Sequence, residues 1–156
     1  MPRKPTAFLR DPRQVLEHAQ REFERGHLKE AIELLEQALT MNADSVQVRT
    51  MLGIAYARTR QVERAFEHLE HAVGFDPEAF GPRCALGELY MRLCVPEKAR
   101  DHLGRALESA TNAQERAYVQ SLLRDERARD RRRVYRPSFR QPFWLLRHRR
   151  VPEKDS

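Results

Sequence analysis

Small and apolar residues return along this chain at a fixed interval. Ala31, Ala65 and Ala99 stand 34 residues apart, as do Leu35, Leu69 and Leu103, and again Ala38, Ala72 and Ala106. Ala19, Gly53 and Gly87 keep a small side chain at the same interval, and the triplets His18/Leu52/Leu86 and Leu39/Val73/Leu107 follow them. Within each copy the spacing is that of two helices. In the second copy Leu52, Gly53 and Tyr56 fall at i, i+1 and i+4, and Ala65, Leu69 and Ala72 at i, i+4 and i+7, each set a single helical stripe. Arg60 and Gln61 leave room only for a tight turn, so the two helices are antiparallel neighbours. Gly53, Ala65 and Ala72 let their backbones approach closely.

The punctuation agrees. Asp11-Pro12 and Asp44-Ser45 offer capping oxygens for the first and third helices, Gly26 separates the first pair, and Pro96 stands where the sixth helix begins. Leu52-Gly53-x-x-Tyr56 with Ala65, Ala72 and Pro77, and Leu86-Gly87-x-x-Tyr90 with Ala99 and Ala106, resemble the signature of the tetratricopeptide repeat family. The first copy departs from it: His18-Ala19 replaces Leu-Gly, Glu22 the aromatic, and Ala43 the closing proline. A terminal repeat, with one face in water, is the expected place for such departures. The resemblance implies an all-α fold, a right-handed α-solenoid of three helix–turn–helix repeats (12–45, 46–79 and 80–113) after a flexible leader (1–11). Asn112 and Glu115, in capping-box spacing, open a C-terminal capping helix with a basic extension (114–133). Its stripe of Tyr118, Val119, Leu122 and Leu123 is expected to cover the last repeat, ahead of an extended Arg/aromatic tail (134–156).

Composition narrows the class. The 156 residues are 40% hydrophobic and 33% charged, with six glycines, which suits helices with one wet face and argues against a β-sandwich. No window approaches 18 consecutive apolar residues, so no transmembrane helix is expected. Two cysteines are too few for a disulfide framework; a reducing, cytoplasmic setting is the expectation. The first residues lack the apolar run of a secretory signal. The net charge of +6 is uneven: from Arg124 onward twelve basic residues face five acidic ones, leaving the preceding body close to neutral.

No nucleophile motif, phosphate-binding glycine loop or dinucleotide fingerprint occurs, so neither an enzyme activity nor a cofactor is expected. Cys84 and Cys94 read as structural thiols. His68 and His102 are equivalent in adjacent copies and His71 lies one turn from His68; a surface metal site there would draw on Glu67 or Glu70. On the outward face of a second helix such residues are ordinarily solvated, and no metal is expected.

In a stack of helix pairs the first helices line the concave side. The face opposite their packing residues predicts a peptide groove formed by Arg13, Leu16, Gln20 and Phe23, by Gln47, Thr50, Ile54, Ala57 and Arg58, and by Cys84, Glu88, Met91 and Arg92. Leu16, Phe23, Ile54, Ala57, Cys84 and Met91 form an apolar row, with Arg13, Arg58 and Arg92 along one edge. Such grooves take extended or helical peptides. Some members of the family clamp acidic C-terminal peptides with Lys and Asn pairs; here Leu16, Gln20, Thr50, Ile54, Cys84 and Glu88 stand at those positions, so that clamp is missing.

The tail is a second candidate surface. Arg131, Arg132, Arg133, Arg136, Arg140, Arg147, Arg149 and Arg150 interleave with Tyr135, Phe139, Phe143 and Trp144. Arginine with aromatics suits RNA or an anionic membrane surface, and Pro142-Phe143-Trp144-Leu145-Leu146 suits a protein groove. The expectation is a non-catalytic protein–protein interaction adaptor or scaffold holding a peptide segment in its groove, with the tail as second contact. The alternative is an RNA-, ribosome- or membrane-associated factor acting through the tail. The oligomeric state is left open.

Overall fold

The computed structural model describes residues 11–132 apart from Ala43. Seven helices follow one another: α1 (Pro12–Glu24), α2 (Leu28–Met41), α3 (Val46–Arg58), α4 (Val62–Phe75), α5 (Phe80–Arg92), α6 (Pro96–Ser109) and α7 (Ala113–Arg132), with no strand among the described residues. α1 packs on α2, α3 on α4 and α5 on α6; the pairs stack through α2–α3, α4–α5 and α3–α5, and α7 lies against α6 and α5. The result is an α-solenoid of three hairpins closed by one helix. None of the described helices is long and apolar enough to cross a membrane.

Local chemistry explains where the helices begin. An Asp11 carboxylate oxygen accepts from the Arg13 amide at 2.9 Å, and Ser45 Oγ accepts from the Val48 amide at 3.2 Å, each satisfying a first-turn N–H that has no partner within the helix. Pro12 and Pro96 occupy first-turn positions, where a missing N–H costs no helical bond. Asn112 Oδ1 accepts from the Glu115 amide at 2.8 Å, while the Glu115 carboxylate reaches back to the Thr111 amide at 2.7 Å.

All three hairpin turns have one design. The Gly26 amide donates to the Phe23 carbonyl and His27 to Glu22; Arg60 donates to Ala57 and Gln61 to Tyr56; Cys94 donates to Met91 and Val95 to Tyr90. Each is the paired closure of a helix C-terminus that requires a left-handed residue. That residue is Gly26 (φ 80°) in the first copy, but Arg60 (φ 64°) and Cys94 (φ 59°) in the next two.

Between paired helices the leucine register fills the small-residue register. A Cβ placed on Gly53 would fall on Leu69 Cγ, and one placed on Gly87 would lie 2.6 Å from Leu103 Cγ, so glycine is what lets the hairpins close. Tyr56 stacks on His68 with ring centroids 5.5 Å apart, and Tyr90 on His102 at 5.4 Å. Arg64 and Lys98, themselves 34 apart, lie over the same two tyrosines at 5.4 and 5.3 Å. His68 and His102 are therefore half-buried ring partners, not solvated residues of an open outward face. Burial holds both imidazoles below their ordinary pKa. No cluster with metal-ligand spacing occurs among the described residues.

The two thiols part company. Cys84 is fully buried, which raises its pKa well above the ordinary thiol value, whereas Cys94 is exposed. Cys94 is the left-handed turn residue of the third hairpin.

Candidate functional site

A cleft opens at the first repeat. Pro12, Arg13, Leu16, Glu17 and Gln20 of α1, Ala38 of α2, Asn42 beyond it, and Ser45, Gln47 and Val48 at the start of α3 enclose a cleft of about 550 Å³. Its shape follows from the α2–α3 connection: Asn42 Oδ1 holds the Asp44 amide at 3.3 Å, and the Ser45 cap starts α3 across the cleft from α1. Ala38 and Val48 are buried and Leu16 half-buried, giving an apolar floor. The carboxamides of Gln20, Asn42 and Gln47 add paired donors and acceptors, and Arg13 and Glu17 stand exposed at the rim.

Of the groove residues expected from sequence, Arg13, Leu16, Gln20 and Gln47 meet in this cleft. Of the others, Arg58 is exposed and Arg92 half-buried. Phe23, Thr50, Ile54, Ala57, Cys84, Glu88 and Met91 are all buried. The physical reason is that successive first helices lie side by side, so much of the stripe read as groove wall is the seam between them. Thr50 turns its hydroxyl to the Val46 carbonyl at 2.7 Å. Cys84 and Met91 pack in one apolar cluster with Val119 and Leu122 of α7, and Glu88 accepts a hydrogen bond of 2.5 Å from the Tyr118 hydroxyl of α7.

The arginine edge is also occupied internally. Arg58 lies 5.0 Å over the Phe23 ring, and Arg92 Nη1 donates to the Ala57 carbonyl at 3.0 Å. Arg129 of α7 donates in the same way to the Met91 carbonyl and also touches the Cys94 sulfur. Phe23, Ala57 and Met91 are spaced by 34 residues, so an arginine of the following unit meets the same position near the end of each first helix, over a ring at Phe23 and on a carbonyl at Ala57 and Met91.

Sequence reasoning missed Pro12, Glu17, Ala38, Asn42, Ser45 and Val48. The signal was present in the Asn42–Ser45 turn, which brings the end of one hairpin and the start of the next around α1, but a stripe drawn along first helices alone does not reach it. Of the tail residues, Arg131 and Arg132 fall in the last turn of α7. Arg133, Tyr135, Arg136, Phe139, Arg140, Phe143, Trp144, Arg147, Arg149 and Arg150 lie outside the described residues.

Comparison with known proteins agrees with the geometry. The first tetratricopeptide domain of Spaghetti (RPAP3), solved bound to the HSP90 peptide SRMEEVD, superposes with a TM-score of 0.67 at 19% identity, over 80% of this chain and 97% of that one. The first such domain of human RPAP3 gives 0.69 at 20% identity, with the same 80% and 97% covered. The Sgt2 tetratricopeptide domain from Aspergillus fumigatus gives 0.68 at 17% identity, over 88% and 92%. No curated protein matches the chain. The family described as Clathrin, region in Clathrin and VPS, matches residues 9–120. With that match spanning all three hairpins and the start of α7, the chain belongs to this family of helical repeats, and its hairpins are built on the tetratricopeptide plan.

Proposed function

We propose that the protein is a non-catalytic interaction adaptor that holds a short extended segment of another protein in the cleft between α1 and α3. The observation that carries this reading is the cleft itself: an apolar floor of Leu16, Ala38 and Val48 ringed by the carboxamides of Gln20, Asn42 and Gln47, in a volume of about 550 Å³. An apolar floor anchors one side chain, and carboxamides match the alternating donors and acceptors of an extended backbone. Peptide capture by the Spaghetti domain supports the reading. The residues here differ from an acid-clamping set, so the ligand is a segment with an apolar anchor and not an acidic terminus. Two free cysteines, one of them exposed, suit a cytoplasmic setting.

The test is selection of peptides from a random library by the full chain, followed by titration of the selected peptide. Leu16→Glu places a charge on the cleft floor and is expected to weaken binding by about tenfold or more, with far-UV circular dichroism unchanged. Glu78→Lys, at an exposed position outside the cleft, should bind as the parent does. Equal binding by the Leu16→Glu chain overturns the proposal.

A further inference from the structure

The carboxyl of Glu88 is only 2% exposed, in the middle of a seam between α5 and α7. Cys84 and Met91, one turn to either side of it on α5, pack with Val119 and Leu122 of α7. The Tyr118 hydroxyl donates to Glu88 Oε1 at 2.5 Å. A carboxyl in such a place is tolerable when neutral; ionised, it must lose most of its hydration or draw water in.

Burial dominates and pushes the carboxyl up to about 7, against the Tyr118 hydrogen bond from α7 and the charge of Arg92 one turn along α5, both of which favour the ionised form. On α7, Tyr118 faces Glu88, and Glu115, which with Glu88 acts on the Cys84 thiol, is held by Thr111. On α3, Arg49 lies over Phe75 and Arg58 over Phe23. On α6, Lys98 lies over Tyr90, His102 stacks on Tyr90, Arg100 pairs with Glu126 of α7 at 3.3 Å, and Arg105 pairs with Asp101.

We propose that α7 is a proton-sensitive lid on the C-terminal part of the concave face, seated while the Glu88 carboxyl carries its proton and loosened when it ionises. Loosening uncovers Cys84, Glu88 and Met91, the part of the predicted groove that α7 covers. The proton balance is simple: seating takes up one proton from solvent at Glu88, and release returns it. The inference is independent of the α1–α3 cleft.

The sign follows from linkage. Seated, Glu88 titrates near 7; with α7 lifted, renewed hydration returns the carboxyl towards the ordinary 4.5. As pH rises from the lower value through the higher, the lifted form gains relative to the seated one, and above the higher the advantage is constant. Between about pH 5.5 and pH 8 the opening equilibrium of α7 should grow by roughly tenfold or more.

The experiment is hydrogen–deuterium exchange of the full chain at those two pH values, each corrected for intrinsic exchange rates. Expected is a loss of protection in α7 at pH 8 relative to α1–α4, absent in Glu88→Gln, which stays neutral throughout. Tyr118→Phe retains the ring and removes the donor to Glu88. In that variant α7 should be less protected at pH 8 than in the parent, while protection at pH 5.5 should change less. Protection in α7 that is equal at both pH values, or a pH dependence that persists in Glu88→Gln, overturns the proposal.

Discussion

Arg92 reaches 35 residues back along the chain and donates from Nη1 to the carbonyl oxygen of Ala57 at 3.0 Å. That carbonyl belongs to the last turn of α3, where helical carbonyls have no partner within the helix and the helix dipole favours a cation. The same relationship joins Arg129 to Met91 at the end of α5, and Arg58 covers Phe23 at the end of α1. Successive units are thus fastened along one edge by arginines, two of which, Arg58 and Arg92, sequence spacing places on a ligand-binding rim.

Arg92→Met tests this role. The substitution keeps most of the apolar stem and removes the charged donor, so the Ala57 carbonyl is left with the Arg60 amide alone. A loss of about 1–3 kcal/mol is expected, read as a lower urea midpoint with an unchanged slope. Arg13→Met, at the exposed rim of the α1–α3 cleft, should stay within about 0.5 kcal/mol of the parent. Equal effects of the two would mean that the Arg92 bond does not fasten α5 to α3.

The helices and their pairing were legible because the contacts that build them are local and periodic. Gly53 meets Leu69 and Gly87 meets Leu103, and each partner lies 16 residues along the same hairpin, so one copy contains the whole contact and three copies repeat it. The groove was less legible because its availability depends on what lies across it. The stripe of Tyr118, Val119, Leu122 and Leu123 was legible as a cover for the last repeat, but not that Cys84, Glu88 and Met91, read as groove residues, would lie beneath it. α7 sits where the first helix of a fourth repeat would, yet Ser121 and Arg124 replace the glycine and tyrosine that mark the earlier copies, so the repeat register does not say which α5 residues it meets. The open cleft was half-read: Leu16 and Gln20 lie on the predicted stripe, while Asn42 and Ser45 enter from a turn.

The repeated turn supplies a second prediction. Arg60 adopts φ 64° at the position held by Gly26 in the first hairpin, and a side chain in the left-handed region is disfavoured by about 1 kcal/mol or more relative to glycine. Part of that gain is offset by the greater freedom of glycine in the unfolded chain. Arg60→Gly should therefore stabilise by about 0.5 kcal/mol, raising the melting temperature by roughly 1–4 °C. Gly26→Ala should do the reverse. A destabilised Arg60→Gly chain would mean that the exposed arginine makes a contribution larger than its backbone strain.

The stacked histidines give the protein an acid sensitivity of known sign. Burial against Tyr56 and Tyr90 lowers the pKa of His68 and His102 below the ordinary 6.5, so the unfolded chain takes up protons first as the pH falls. Their contribution is intact above about pH 6.5 and is lost progressively below it, down to the folded-state values. Glu88 acts in the opposite direction, since its raised pKa penalises the folded chain as the pH climbs from 4.5 towards 7. The two effects overlap and partly cancel in the parent, so the melting temperature alone does not separate them. The difference between parent and variant does. A His68→Phe, His102→Phe chain retains both ring stacks and the Glu88 response but has no imidazole to protonate. Between about pH 7.5 and pH 5 its melting temperature should fall less, or rise more, than that of the parent, because only the parent loses stability to the two imidazoles. Parallel curves for the two chains would show that His68 and His102 titrate alike in the folded and unfolded states, and that their burial against the tyrosines has no energetic consequence.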